Sequence, residues 1–413
     1  AISFDFKKFF NAKFDIHALA GHDVFIKTWF ENNDSFDRWL LVSYYIEKFC
    51  DTGYICAALK EIKDYTNADI ARELLLTIFD LKDPEAYIEE RRDVLAFVRK
   101  EGIILSDGVQ KKLVEKLIGI AQTHGYPTAL RYFSLVTNAE KALLIEWLGK
   151  GYIQRDAVKE LPDIYHYLGR TFGVKDAECK WLLSYFDEYK LAKVANSYSP
   201  NIEESIGSHN QDTATFYSWY NSFSNTRTLL HSRKDIDVYY WIDGLGFDWV
   251  PFIQQIISER NNDNYYLNEV LAARSELPTK TDINKKSLQL LTQQDDLPKS
   301  GDLDKYSHIT RQYPQYIIDD FALVRNTINK ILNNNPGKKI AIVSDHGLSF
   351  LSQFLPGLNL PGLESDHGGR TALAKKPTID SRYIILDDNK TLCALRHNSL
   401  CAKIHEGCGC HGG

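Results

Sequence analysis

Val238-Tyr-Tyr-Trp-Ile-Asp-Gly-Leu-Gly246 is the stretch on which the fold class turns. Val238–Ile242 is a short run of β-branched and aromatic residues, the composition of a buried strand. It ends in a carboxylate, Asp243, and a glycine-rich turn. A second run, Lys339-Ile-Ala-Ile-Val343, ends in the same manner, in Ser344-Asp-His-Gly347. Between them, Ile318, Phe321, Val324, Ile328 and Ile331 recur at helical spacing and predict a helix closed by Asn333-Asn-Asn-Pro-Gly337. Tyr383-Ile-Ile-Leu386 is a third strand candidate. Strands alternating with helices argue an α/β sheet. Ligands of such sheets bind beyond the carboxyl ends of the strands, and Asp243 and Asp345 stand at two such ends.

Outward from this core the pattern changes. Residues 1–195 read as an all-helical N-terminal domain, with apolar positions at helical spacing as in Leu113, Leu117, Ile120 and Ala121. Thr137-Asn-Ala-Glu140 is a capping box ahead of an apolar run. The stretch 196–212 is polar and turn-rich, so the boundary is placed there, with a connecting helix over 211–231. Residues 196–230 then form linker and helix, and 231–413 the sheet domain.

Bulk properties narrow the function classes. The 413 residues are 44% hydrophobic and 25% charged, the balance of a water-soluble globular protein of two or three domains. No apolar run reaches membrane-spanning length. The start, Ala1–Lys8, lacks the basic-then-apolar order of a secretory signal. Seven cysteines, an odd number scattered through a long chain, favour free thiols and a reducing, cytoplasmic compartment. A net charge of -6 gives no general drive toward nucleic acid. The sequence contains no methionine.

Several groups of residues could carry chemistry. Asp345 and His346 stand side by side at a strand end, where Gly347 relieves crowding, and could turn toward one divalent ion. Asp243-Gly-Leu-Gly246 could add a carboxylate, although alone it reads as a turn. In Leu277-Pro-Thr-Lys-Thr-Asp-Ile-Asn284, Thr279 or Thr281 could cap a helix. Alternatively, a threonine there could be a nucleophile, given a metal or base to activate it and a helix start to favour phosphate. Asp304 and His308, four apart, could grip an ion from one face of a helical turn. His411, in Cys408-Gly-Cys-His-Gly-Gly413, competes with His367 in His367-Gly-Gly-Arg370 as a last ligand. His405, Cys408, Cys410 and His411, with Cys393 and Cys401, offer a different reading as a structural zinc site.

Taken in order, Asp243, Thr281, Asp304 with His308, Asp345-His346 and a final His-Gly-Gly resemble the ligand order of the alkaline phosphatase superfamily. Trp241-Ile-Asp-Gly-Leu, Leu277-Pro-Thr-x-Thr, Ser344-Asp-His-Gly and the last Cys-His-Gly-Gly resemble its PglZ branch, known from BREX phage-defence systems and from some response regulators. The resemblance covers about 230–413. It implies an alkaline-phosphatase-like sheet flanked by helices, cut short at its C-terminus. It implies two divalent ions, zinc first, with manganese or magnesium as substitutes. One ion would be held by Asp243, Thr281, Asp345 and His346, the other by Asp304, His308 and His411. Thr281 would be the nucleophile and Asn284 a phosphate-binding residue one turn later. The implied activity is phosphoester hydrolysis, on nucleotides or oligonucleotides among others, within a cytoplasmic defence complex of several proteins and away from membranes. The other reading is a scaffold or regulatory subunit that keeps the fold without turnover.

Overall fold

Leu113, Leu117 and Ala121 form the buried stripe of the Asp107–His124 helix, with Ile120 half-exposed beside them. A computed structural model of the chain describes residues 5–14, 21–50, 53–174, 179–285, 299–303, 311–358, 362–366, 369–400 and 410–411. Every element described before residue 196 is helical, as the periodicity implies. The capping box forms as read: Glu140 N donates to Thr137 Oγ1 at 3.2 Å, and Thr137 N donates back to Glu140 Oε2 at 3.2 Å. Glu140 is fully buried, and its carboxylate also accepts from Ser134 N at 2.7 Å and Ser134 Oγ at 2.6 Å.

The chain divides into two compact units, Ala1–Leu144 and Ile145–Gly413. The division falls well before the polar stretch at 196–212. That stretch is not a surface linker. Pro200–His209 is a helix with Ile202 and Ile206 buried. Asn210 is 5% exposed, donating to Leu395 O at 2.6 Å and accepting from Trp219 Nε1 at 2.7 Å. Polar composition suggested a linker because these polar groups are matched by distant partners that sequence order does not reveal. The predicted helix over 211–231 is also broken. It forms as Thr213–Tyr220 and Thr226–Ser232, the second started by Asn225, whose Oδ1 accepts from Arg227 N at 2.8 Å.

The first unit is a helical assembly around Phe10, Phe25, Trp29, Tyr45, Tyr54 and Leu74, all at most 2% exposed. Arg38 and Arg91 are buried within it and satisfied mainly by backbone carbonyls, including Tyr65 O and Tyr132 O. Cys50 and Cys56 form a disulfide. The expectation of free thiols fails for this pair, and it holds for Cys179 and Cys393, which are free and buried. No described helix is long and apolar enough to cross a membrane.

The second unit is a mixed α/β structure. Strands β1 (Val238–Asp243), β2 (Lys299–Asp302) and β3 (Ile340–Val343) make a parallel sheet in the order β2-β1-β3. β1 and β3 are the two predicted strands, and the Gln315–Asn333 helix between them buries Phe321, Val324, Ile328 and Ile331 as the spacing demands. The short β4 (Leu348–Ser349) pairs antiparallel with β9 (Cys410–His411). A separate antiparallel sheet holds β5 (Leu363–Asp366), β6 (Thr371–Ala374), β8 (Thr391–Ala394) and β7 (Tyr383–Ile385) in that order. The predicted third strand, 383–386, therefore belongs to this second sheet and not to the parallel one. Residues 265–273 form no strand, and Asn225 and Arg274 make an isolated parallel bridge just beyond them.

The helices of 145–195, assigned to the N-terminal domain on periodicity, pack with the sheets of the second unit. Lys193 Nζ pairs with Asp248 Oδ2 at 3.1 Å, and Tyr167 O–H donates to the same oxygen at 2.6 Å. Lys193 also lies 4.4 Å from the centre of the Trp249 ring. A helix buries its apolar stripe against whatever lies nearest, and its own sequence does not name that partner.

Candidate metal centre

The parallel register of β1 and β3 sets Trp241 opposite Val343. Two residues further along each strand, Asp243 and Asp345 therefore emerge level with one another. Both are buried, at 3% and 1% exposure, and so is His346 at 5%. One donor atom from each of the three lies within 4.8 Å of the other two.

Local bonds fix how each group points. Asp345 Oδ1 accepts from His346 N at 3.0 Å and from Gly244 N at 3.4 Å. Gly244 has φ 70°, a conformation that disfavours any residue with a Cβ. Ser275 Oγ donates to Asp345 O at 2.7 Å, and Ser344 Oγ donates to His346 O at 2.7 Å. Asp345 Oδ2 is buried and has no hydrogen-bond partner. A carboxylate oxygen left bare inside a protein is costly unless something positive meets it.

His346 Nδ1 stands 2.9 Å from Gly347 O. A carbonyl only accepts, so Nδ1 carries a hydrogen, and in the neutral ring that leaves Nε2 with the lone pair. That lone pair faces Asp243 Oδ1 at 3.4 Å, Asp345 Oδ2 at 3.5 Å and Thr281 Oγ1 at 3.1 Å. Thr281 Oγ1 is 3.5 Å from Asp243 Oδ1. Two carboxylates and an imidazole lone pair converging in a buried space repel one another, and a divalent cation reverses the sign. The imidazole tied through its other nitrogen to a carbonyl is the arrangement that orients a metal-binding histidine. Oxygen and imidazole donors suit zinc, and also manganese or magnesium. The bare Asp345 oxygen and this donor set fit a divalent ion held by Asp243, Thr281, Asp345 and His346.

Thr281 reaches the group from a loop anchored on the antiparallel sheet. Leu277 packs against Phe216, Tyr220, Ile384, Cys393 and Leu395. The chain is then helical over 281–285. Asn284, expected to bind phosphate, closes this loop instead. Its Oδ1 accepts from Glu276 N at 2.8 Å, and its Nδ2 donates to Glu276 O at 3.2 Å and Lys280 O at 3.1 Å. It is 5% exposed, and both amide hydrogens are directed at backbone carbonyls. Spacing along a helix puts Thr281 and Asn284 on neighbouring positions, but the backbone of 276–280 captures the asparagine first.

The ligands implied for a second ion are covered less fully. Asp304 and His308 lie outside the described residues. β2 ends two positions before Asp304, and Leu303 N donates to Asp243 O at 3.2 Å. β9 places the backbone of His411 opposite Leu348, two residues after His346. His367, the rival ligand, lies outside the described residues, while Arg370 beside it donates to Ala394 O at 3.1 Å and to Arg396 O. Of the zinc-site reading, Cys401, His405 and Cys408 lie outside the described residues. Cys393 sits in an apolar cluster, where burial pushes its thiol up to about 12 and keeps it protonated.

Sequence reasoning passed over Ser275, Ser344 and Gly244, which aim the ligands. Serines and a turn glycine carry no distinguishing mark until the strands that they serve are placed. Comparison with family models, with curated proteins and with solved structures returns no match for this chain.

Proposed function

We propose that the chain is a metal-dependent phosphoester hydrolase with Thr281 as its nucleophile, built on an alkaline-phosphatase-like plan of the PglZ type. The observation that carries the reading is the meeting of Asp243, Thr281, Asp345 and His346 around the partnerless Asp345 Oδ2, at the ends of two adjacent parallel strands.

A bound divalent ion would supply positive charge to the phosphate and make the threonine hydroxyl easier to deprotonate. The chain's own residues do the rest. Asp243 and Asp345 gather the charge, and the Gly347 carbonyl holds the His346 ring in its tautomer. Asn284 braces the loop so that Thr281 Oγ1 meets the ligand set. The first N–H groups of the helix that opens at 281 lack intrahelical partners and favour an anionic phosphate. Thr281 Oγ1 attacks phosphorus, the ester oxygen leaves with its organic group, and water then cleaves the phosphothreonine to restore the hydroxyl. Asp304, His308 and His411 complete a second ion in this reading. The setting that follows from the PglZ resemblance is a cytoplasmic phage-defence complex acting on nucleotides or oligonucleotides.

The near-complete burial of the ligands and the engaged Asn284 favour one alternative, a scaffold subunit with a structural ion. Metal analysis of purified protein, joined to a screen of phosphomonoesters, phosphodiesters and nucleic acids, decides between the two. Hydrolysis that depends on added zinc or manganese supports the enzyme. A tightly held ion with no turnover on any substrate supports the scaffold.

A further inference from the structure

Residues 274–276 lie outside every sheet and are held from several directions at once. Arg274 N donates to Ser224 O at 3.1 Å, and Arg274 O accepts from Thr226 N and Thr226 Oγ1, both at 3.1 Å. These bonds make the parallel bridge with Asn225, at the start of the Thr226–Ser232 helix. Ser275 O accepts from the hydroxyl of Tyr220, a residue 9% exposed. The Glu276 carboxylate accepts from Asn225 Nδ2 at 2.9 Å. A backbone without a strand ladder depends on bonds of this kind to satisfy its polar groups and to keep its place.

The same three residues hold two parts of the metal centre. Ser275 Oγ donates to Asp345 O at 2.7 Å, across 70 positions of chain. Glu276 N and Glu276 O bond the Asn284 amide at 2.8 Å and 3.2 Å, closing the loop that carries Thr281. Asn225, Thr226, Ser275, Glu276, Asn284 and Asp345 accordingly line one small recess. Asp345 follows β3, whereas Thr281 sits on a loop that belongs to no strand. The strap 274–276 is bonded to both. Groups behind metal ligands set ligand geometry, and losing one typically lowers affinity about 10–100-fold.

We propose that Asn225 and Ser275 are positioning residues of the metal centre, which set Thr281 and Asp345 at the spacing that one ion requires. The proposal rests on the reading of Asp243, Thr281, Asp345 and His346 as ligands of one ion, and it extends that centre to residues outside the donor set. Ser275 acts on the Asp345 side. Asn225 acts on the Thr281 side, through the Glu276 carboxylate. Asn225 Oδ1 has a separate task in capping its helix, where it accepts from Arg227 N at 2.8 Å. Asn225→Asp therefore keeps the cap and turns the bond to Glu276 into a contact between two carboxylates, which repel.

The test uses the full chain stripped with chelator, as wild type, Ser275→Ala, Asn225→Asp, Thr281→Ala and the double variant Asn225→Asp with Thr281→Ala. Manganese alone is the probe, because it favours carboxylate oxygen over thiolate. Calorimetric titration gives the affinity of the site that Thr281→Ala weakens, and melting in chelator gives the stability of each metal-free form. Ser275→Ala and Asn225→Asp are each expected to lose about tenfold or more in manganese affinity. In the Thr281→Ala background, Asn225→Asp should cost little further, because the hydroxyl that it displaces is gone. A merely structural role predicts lower melting temperatures with unchanged manganese affinities, and that result overturns the proposal. So does an equal loss from Asn225→Asp with and without Thr281. Should Asn225→Asp fail to fold, Ser275→Ala, which deletes one oxygen, still decides the matter. A wild type that binds no manganese, or binds it no better than Thr281→Ala, sinks the metal-centre reading itself. Binding that Thr281→Ala weakens and the other variants leave unchanged sinks the proposal alone.

Discussion

Thr281 Oγ1 lies 3.1 Å from His346 Nε2, on the side of the imidazole turned away from the Gly347 carbonyl. The residues are 65 positions apart in the chain. The hydroxyl thus belongs to the same set of donors as the two buried carboxylates. Thr281→Ala should remove one contact to the ion and the attacking oxygen together. Hydrolysis of bis-p-nitrophenyl phosphate with added zinc or manganese is expected to fall at least ~10³-fold, in line with loss of a nucleophile elsewhere. Melting should change little, since a helix-start threonine contributes about 1 kcal/mol. Thr279→Ala should keep most activity. A fully active Thr281→Ala enzyme refutes the assignment.

Asn284 offers a sharper test of the loop. Its three hydrogen bonds close residues 276–284 into one piece. Asn284→Ala leaves Glu276 N and Glu276 O without the amide that pairs them, at about 1–3 kcal/mol for the buried donor alone, while Lys280 O keeps the Asn284 backbone N–H. The expected outcome is a lower melting temperature and a reduced kcat, with KM close to wild type. A raised KM with unchanged stability would instead return Asn284 to the phosphate.

The buried pair Lys193–Asp248 should show strong coupling. The two side chains are 9% and 6% exposed, and Tyr167 shares the carboxylate. Removing one partner strands the other charge. Lys193→Met should cost about 3–5 kcal/mol, whereas the double change Lys193→Met with Asp248→Leu should recover a good part of it. Chemical denaturation of wild type, Lys193→Met, Asp248→Leu and the double variant gives the coupling energy, and simple additivity would show that the pair is not a unit.

His397 predicts an acid limb in the stability profile. Burial, with the Arg370 guanidinium nearby, holds its folded value at about 3, below the ordinary 6.5, so the unfolded chain takes up the proton first as pH falls. The contribution is fully present above about pH 6.5 and is lost progressively between there and pH 3, amounting to about 2 kcal/mol at pH 5. Denaturant melts at pH 7 and pH 5 should show this loss in wild type and a much smaller one in His397→Gln. Equal losses in the two proteins would rule out the imidazole as the source.

Much of the sheet-bearing half is legible in the sequence because its signals are local. β1 and β3 are runs of β-branched and aromatic residues stopped by carboxylates, and Asp243, Asp345 and His346 inherit their places from them. β2 is not legible, because Lys299-Ser-Gly-Asp302 has none of the β-branched or aromatic residues that mark a strand in sequence. The boundary at Leu144 is hidden for a different reason. Helical spacing in 145–195 shows that a face will be buried, but Asp248, Leu348 and His397, which cover it, lie far ahead in the chain. The loop-closing bonds of Asn284 are not legible either, because helix spacing gives direction only for a side chain that nearby backbone leaves alone. The Cys50–Cys56 bond was masked by an odd cysteine count.

The Trp181–Ala195 helix has a practical consequence for anyone dissecting this chain. Cutting at 196, where composition suggests a linker, would discard Tyr185, Tyr189 and Lys193 while keeping Asp248, Leu348, Phe350 and His397, which they touch. The Asp248 carboxylate would then be left without its ammonium partner, and Leu348 O and Phe350 N would lose the Tyr189 hydroxyl that pairs them. Such a fragment should come out of expression as aggregate, even though it contains every residue of the donor set. A piece meant to keep Asp243 and Asp345 in their setting should therefore retain the whole second compact unit, which begins at Ile145.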